Sequence, residues 1–185
     1  MAHLCAASNK PLRQALDAPD GFVVSRHRDY IERVVRSTYP HTVVFRELIE
    51  ESTCVLCALS LFHDQTYRAI ASNFGGEIFA GRKFMDWLIK GRLVEIDEPT
   101  AGCLALYFDQ GIWQHVGVVS DAGRVISQWG MFPVYEHDVC ELPARYGNDV
   151  RYFQMPGPHE PLRMFLEYAK TWGISDADIA RVLTA

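Results

Sequence analysis

The chain has 185 residues, a length that suits one domain with a full hydrophobic core. Hydrophobic residues make up 49% of the sequence and charged residues 22%, which excludes a wholly disordered protein. The formal net charge of −5 argues against nucleic-acid binding, because neutralising phosphates needs a basic face. We therefore expect a folded protein that does not bind nucleic acid.

The sequence carries no pattern typical of membrane insertion or export. Its longest apolar stretches, such as 54–62, have about half the length of a membrane-spanning helix. The first ten residues lack the basic start and the long apolar stretch of a signal peptide. We expect a cytoplasmic protein without membrane contact, and delivery as an effector by a dedicated export system stays open. The five cysteines have no framework spacing, and in the cytoplasm all of them should be thiols.

Helical periodicity predicts three helices in the N-terminal half of the chain: 28–38, 54–62 and 79–89. Five β-rich runs separated by turn sequences then predict an antiparallel meander of about five strands: 103–108, 113–119, 124–129, 134–136 and 150–154. Two more helical patterns, 161–171 and 176–183, follow a Pro-Gly-Pro break. Helices followed by antiparallel strands and further helices predict an α+β fold. We expect residues 1–158 to form one domain and 159–185 to form a helical appendage packed on it.

Two cysteines lie near the start of the predicted helix 54–62, just after Ser52 and Thr53, which are natural N-cap residues. A thiol in the first helical turn lies near the positive end of the helix dipole and near free backbone N–H groups, and both lower its pKa. The same N–H groups can hold an oxyanion. Cys54 gains most from this position, whereas Cys57 lies almost one turn further along the helix.

Three other roles are compatible with this pair of cysteines. Free cysteines are often buried and structural, so both could simply belong to the core. A Cys-x-x-Cys pair also occurs in redox motifs and in zinc sites. No thioredoxin-type strand precedes this pair, and the sequence offers no second pair of ligands at close spacing. We therefore expect neither a metal nor a cofactor.

The second candidate residue is His115, at the start of an apolar strand, where a titratable side chain is costly to bury. Gly117 lies two residues further on and points to the same side of the strand. We expect this glycine to leave space beside the imidazole for a substrate or for the helix that carries Cys54. A structural role of His115 within the strand is the alternative.

Three segments of the sequence share their pattern with a known superfamily: Ala101-Gly-Cys-Leu-Ala-Leu-Tyr-Phe108, His115-Val-Gly-Val-Val119 and Gly123-Arg-Val-Ile-Ser127. Together with the preceding cysteine helix, they resemble the papain-like cysteine hydrolases, and in particular the NlpC-type bacterial peptidases and amidases. In that branch a cysteine opens a helix, a strand begins His-Val-Gly-Ile, and a strand of the type Gly-Arg-Val-Ile-His follows. The resemblance covers about 52–129, which is under half of the chain.

The resemblance implies a catalytic cysteine, His115 as its base, and a third polar residue on the next strand that orients the imidazole. Ser127 or Gln128 would supply that third group. The papain-like fold would pack the cysteine helix, with the other N-terminal helices, on the meander, and two helices would follow at the C-terminus.

The nucleophile itself is not fixed by the motif. Thr53-Cys54-Val55 departs from the usual Asp-Cys-Ser triplet of this branch. The run Cys54-Val-Leu-Cys57-Ala-Leu-Ser60 also resembles the Cys-x-x-Cys-x-x-x-Ser pattern of papain, in which Cys57 would attack, although the serine here comes one residue earlier. We favour Cys54 because it lies closer to the start of the helix.

The resemblance implies acyl transfer at an amide bond of a peptide or protein, through a covalent acyl-enzyme. The enzyme would be an amidase, a peptidase or a deamidase. The alternative is an inert papain-like scaffold that binds a partner protein, and the unusual nucleophile triplet favours it.

Overall fold

The computed structural model of the protein describes residues 3–5, 9–17, 23–50, 52–74 and 78–184. Eight strands within these residues form one sheet, and their pairings are antiparallel. The strands are β1 (His3–Leu4), β2 (Val44–Glu47), β3 (Glu95–Ile96), β4 (Leu104–Asp109), β5 (Ile112–Val119), β6 (Val125–Gln128), β7 (Val134–His137) and β8 (Asp149–Phe153). Together with the helices, this sheet makes the fold α+β, as predicted.

The strands β4 to β7 lie side by side in chain order and form the predicted meander. The strand β8 departs from the prediction, because it pairs with the other edge of β4, where Phe153 lies opposite Leu104. The strand β2 extends the sheet beyond β7, and both β1 and β3 pair with β8. The sheet is therefore wider than the five strands predicted.

The helices are α1 (Lys10–Leu16), α2 (Val24–Asp29), α3 (Arg36–Thr38), α4 (Cys54–Ala58), α5 (Gln65–Phe74), α6 (Arg82–Ile89), α7 (Glu160–Thr171) and α8 (Asp176–Thr184). A π-helical segment, Tyr30–Val35, joins α2 to α3. A 3-10 turn, Ala144–Tyr146, precedes β8. The helices predicted at both C-terminal patterns are present as α7 and α8.

The helices α4 and α5 differ most from the sequence prediction. The helix predicted for 54–62 ends at Ala58, since Ser60 adopts a left-handed backbone with φ of 54°. The helix α5 was not predicted, and Asp64 caps it by accepting a hydrogen bond from the Tyr67 N–H at 2.9 Å.

Helices cover both faces of the sheet and bury two hydrophobic clusters. The first cluster joins α4 to α8 with the face of β4 and β5 that carries Leu106 and Val116. The second joins α1 and the π-helical segment with the opposite face, which carries Tyr107 and Val119. These two faces decide which candidate side chains can meet.

A disulfide joins Cys5 to Cys140, which lie 135 residues apart in the chain. The expectation that all five cysteines are thiols is therefore wrong for this pair. The fold brings the two cysteines together, and their spacing in the sequence does not indicate a disulfide. The other three cysteines, Cys54, Cys57 and Cys103, are free. No helix among the described residues combines the length and the apolar character needed to cross a bilayer.

Candidate active site

Cys54 is the first residue of α4, at the helix start that the sequence predicts. Thr53 caps this helix, since its hydroxyl oxygen accepts a hydrogen bond from the Leu56 N–H at 3.3 Å. Both Cys54 and Cys57 are partly buried. Because α4 has only five residues, its dipole is small.

The electrostatic surroundings of Cys54 keep its thiol neutral at pH 7. Burial raises the pKa of Cys54 to about 11. The nearby backbone of Val116, of Val55 and of Cys54 itself acts in the opposite direction and lowers the pKa, as does the positive charge of Arg82. The expectation of a lowered pKa is not met, because desolvation outweighs these contributions.

Cys57 has no advantage over Cys54 as a nucleophile. Burial raises the pKa of Cys57 to about 11 as well, and the negative charge of Glu47, with that of Cys54 once its thiol ionises, acts in the same direction. No stabilising backbone group contributes to that shift. Cys54 is therefore the better supported of the two candidates.

His115 lies in β5 and is fully buried. Its imidazole stacks on the ring of Tyr146, with the centroids 4.0 Å apart and the planes inclined by 16°. Neither ring nitrogen has a hydrogen-bond partner within the described part of the chain, so no hydrogen bond joins His115 to Cys54. Burial, followed by the charges of His137 and Arg145, holds the pKa of His115 well below its usual value.

A β-bulge in β5 sets the direction of the His115 side chain. Trp113 pairs with Phe108, whereas His115 pairs with Tyr107, so Gln114 is an extra residue on this strand. In a regular strand Trp113 and His115 would point to the same face, and the bulge places them on opposite faces. Trp113 packs in the first cluster. The imidazole instead shares the face of Tyr107.

The bulge thus turns the imidazole away from the face on which α4 packs. Cys54 packs against the first cluster, on the side of Val116. Arg82 holds the bulged backbone, because it donates hydrogen bonds to the Trp113 carbonyl at 2.8 Å and to Gln114 Oε1 at 3.0 Å. Cys54 and His115 therefore both adjoin β5, but the thiol and the imidazole lie on opposite faces of the sheet.

Gly117 does not leave the open space that was expected beside His115. A Cβ atom at this position would lie 2.5 Å from Val125 Cγ1 and 2.8 Å from the Ile126 carbonyl oxygen. The neighbouring strand β6 fills the space, so this glycine serves the close approach of two strands.

The two residues proposed to orient the imidazole point in different directions and contact other groups. The Ser127 hydroxyl lies 3.0 Å from His137 Nε2 and also accepts a hydrogen bond from Trp129 Nε1 at 3.2 Å. Gln128 donates to the Ile49 carbonyl at 3.0 Å, in the loop that leads to α4. Neither side chain bonds to His115. Gln128 therefore anchors the segment that carries the thiol.

Three residues around the candidate site were not singled out as site residues from the sequence. Tyr146 covers the imidazole, and Arg82 holds the bulge. Neither has a local sequence signal, because both act across long separations. The third residue, His137, lies on β7, which pairs with β6.

The described residues contain no group of three or more His, Cys, Asp or Glu side chains placed to hold a metal ion. No family model matches the sequence, and neither a curated protein nor a solved structure matches it significantly.

Proposed function

We propose that the protein is a thiol-dependent acyl-transfer enzyme, of the amidase, peptidase or deamidase type, in which Cys54 attacks and His115 is the base. One observation carries the proposal: the backbone of Val116, the residue that follows His115, lies close enough to the Cys54 sulfur to lower the pKa of this thiol. Cys54 thus packs next to the part of β5 that carries His115, although the imidazole points to the other face of the sheet.

The unpartnered imidazole supports the same conclusion. A buried polar group without a hydrogen bond costs about 1–3 kcal/mol, so its presence needs a reason. Both nitrogens of His115 are in this situation. If His115 must exchange a proton with a thiol during the reaction, its nitrogens need to be free of other hydrogen bonds in the resting protein.

The proposed reaction starts from a neutral thiol and a neutral imidazole. The reaction requires the bulge at Gln114 to shift along β5, so that the His115 imidazole reaches the face on which α4 packs. There His115 takes the thiol proton as the sulfur forms a bond to the amide carbonyl carbon. Backbone N–H groups near the sulfur, those of Val55 and Val116, hold the oxyanion. The C–N bond then breaks, His115 protonates the leaving amine, and water releases the acyl group from the sulfur.

We place this reaction on a papain-like fold, with an amide of a peptide or protein as the substrate. The core would be 1–158, and 159–185 would be the helical appendage. A disulfide persists in oxidising surroundings, and the Cys5–Cys140 bond therefore favours delivery as an effector over permanent residence in the cytoplasm.

The proposal is tested with p-nitrophenyl acetate, a small activated acyl donor. We expect mass spectrometry to find one acetyl group on the peptide that contains Cys54, and Cys54→Ser to abolish it. His115→Ala should slow both acetylation and deacetylation, whereas Cys57→Ser should leave the label in place. A label on Cys57 alone, or none under conditions that acetylate free cysteine, would contradict the proposal.

A second candidate function is an inert papain-like scaffold that binds a partner protein. The observation in its favour is the bulge at Gln114, which keeps the imidazole on the Tyr107 side of the sheet. On this reading His115 is a structural residue, and His115→Ala has no effect on the acetylation of any thiol.

A further inference from the structure

The segment 138–148, here called the strap, links β7 to β8 and carries the ring that covers His115. Tyr146 lies in the 3-10 turn of the strap and is itself 9% exposed. Its ring is stacked on the imidazole. As long as the strap holds Tyr146 in place, His115 is shielded from reagents and substrates.

The strap is fastened by the N-terminal part of the chain, here called the clip, which consists of Cys5 and residues 9–17. The first fastening is covalent, since the disulfide ties Cys5 to Cys140 near the start of the strap. The backbone N–H of Cys5 also donates to the Asn148 carbonyl at 2.8 Å, at the other end of the strap.

Arg13 of the clip makes the second fastening. This guanidinium is only 2% exposed and donates to the carbonyl oxygens of Leu142 at 3.2 Å and Gly147 at 2.5 Å. It also donates to the side-chain oxygen of Asn148 at 2.6 Å. One buried cation thus bridges three residues of the strap on both sides of Tyr146.

The third fastening adjoins the covering ring. Asp17, just after α1, pairs with Arg145 at 2.8 Å, and the Arg145 guanidinium lies over the Tyr146 ring, 5.0 Å from its centroid. Each of these three fastenings joins a residue of the clip to the strap. Among them, the disulfide is the one that the surrounding solution can break chemically.

We propose that the strap is a redox-controlled lid, closed over His115 by the Cys5–Cys140 disulfide and released when a thiol reductant breaks that bond. This inference rests on the proposed function, because it assigns a regulation to the same site. The exchange balances: a dithiol gives two electrons and two protons, the S–S bond becomes two thiols, and the reductant leaves as its own disulfide.

Release follows from the loss of a constraint. In the oxidised protein the clip is covalently attached to the strap, so the hydrogen bonds of Arg13 and the ion pair of Asp17 re-form at once after any break. In the reduced protein the clip and the strap can separate, and the strap opens as a local unit. Tyr146 then leaves the imidazole.

Diethyl pyrocarbonate, which acylates accessible imidazoles, tests the lid without any assay of activity. We compare the oxidised protein, the protein reduced with dithiothreitol and freed of reductant under nitrogen, and the double variant Cys5→Ser/Cys140→Ser. Labelling of His115, read by peptide mass spectrometry, should be at least about tenfold faster in the second and third samples than in the first.

Internal controls make the result specific. His159 is exposed and should react equally in the three samples. His27 is fully buried outside the strap and should stay protected, so it reports general unfolding. Cys103→Ser replaces a buried free thiol and should leave His115 protected. Tyr146→Ala should expose His115 even in the oxidised protein, which tests the lid without touching the disulfide.

Equal protection of His115 in the three samples would overturn the lid, and so would a rise that His27 shares. The outcome for the proposed function is separate. If His115 is released but Cys54 is never acetylated by p-nitrophenyl acetate, the lid stands and the enzyme proposal fails. If Cys54 is acetylated equally fast in oxidised and reduced protein, the enzyme proposal stands and the redox control fails.

Discussion

The Ser127 hydroxyl oxygen lies 3.0 Å from Nε2 of His137, and both residues are buried. The other ring nitrogen, Nδ1, lies 2.8 Å from the Asp138 carbonyl oxygen, which can only accept a hydrogen bond. Nδ1 therefore carries the proton, and Nε2 accepts from the Ser127 hydroxyl. This arrangement fits a neutral imidazole, because a proton on Nε2 would displace the serine hydrogen.

The buried histidines should make the protein sensitive to acid. Burial lowers the pKa of His137 and of His27 to about 4, against 6.5 for the free side chain, and it holds the pKa of His115 well below its usual value. Below pH 6.5 the unfolded chain binds more protons than the folded one. The stability present above pH 6.5 is therefore lost as the pH falls toward 4, by up to about 1.4 kcal/mol per pH unit for each histidine.

Urea denaturation between pH 7 and pH 4 measures this loss. Replacing His137 by Phe should remove about one proton from the number that the protein takes up on unfolding in this pH range. The slope of the unfolding free energy against pH should fall accordingly, whatever the effect of the substitution on stability at pH 7. The exposed His159 is the matched position, and His159→Phe should leave the slope unchanged. An unchanged slope for the His137 variant would mean that this imidazole is already protonated in the folded protein.

The substitution Gly117→Ala should destabilise the protein by about 2–3 kcal/mol, because the new methyl group would overlap Val125 and the backbone of Ile126. Gly157→Ala is the control, since the nearest atom to its new Cβ would be Glu160 Cγ at 3.6 Å. That variant should stay within about 0.5 kcal/mol of the parent chain. Equal stabilities of the two variants, measured by urea denaturation, would show that β5 and β6 can move apart at no cost.

The sequence predicts those parts of the fold that depend on local patterns. The meander β4 to β7 follows from alternating apolar residues and short turns, and α7 and α8 follow from helical periodicity. The helix α5 also has a local signal: Asp64 is its cap, and Tyr67 and Ile70 are buried residues three apart. It could have been predicted.

Other features depend on contacts that no local pattern encodes. The position of β8 beside β4 and the Cys5–Cys140 disulfide arise from chain segments that meet only in the folded state. The direction of His115 depends on one extra residue, Gln114, and a bulge of this kind has no sequence signature strong enough to predict. A resemblance between segments could therefore suggest His115 as a candidate, but could not show on which face its ring lies.

Arg13 should be among the side chains on which stability depends most. Arg13→Met would remove the hydrogen bonds to Leu142, Gly147 and Asn148 and leave buried carbonyl groups without a donor. We expect a loss of about 3–5 kcal/mol in the free energy of unfolding. Arg163→Met is the control, because the ion pairs of this exposed side chain lie at the surface, where solvent screens them and they contribute little to stability. A similar small loss at both positions would show that the clip contributes little to stability.

Removal of residues 159–185 should prevent folding of the remaining chain. The helix α7 buries Phe165, Tyr168 and Ala169 against α5 and α6, and Ile179 of α8 belongs to the same cluster. A truncated chain would expose this apolar surface to water. We expect an aggregated or molten product by near-ultraviolet circular dichroism, whereas removal of the last residue, Ala185, should have no effect. A truncated chain that keeps the native spectrum would identify the two helices as a dispensable appendage.

The reactivity of Cys54 toward iodoacetamide should follow a titration with an apparent pKa of about 11, measured in a Cys57→Ser background by peptide mass spectrometry. At pH 7 only about one thiol in ten thousand would then be ionised, so alkylation should be far slower than for a free cysteine.

Because the charge of Arg82 lowers the pKa of Cys54, Arg82→Gln should slow the alkylation of Cys54 further at a given pH, and Arg82→Lys should not. Arg92→Gln serves as the control, since that guanidinium lies over Trp87. An apparent pKa near 7 would instead indicate a thiolate already paired with a charged His115, which requires the imidazole to lie on the α4 side of the sheet before any substrate arrives.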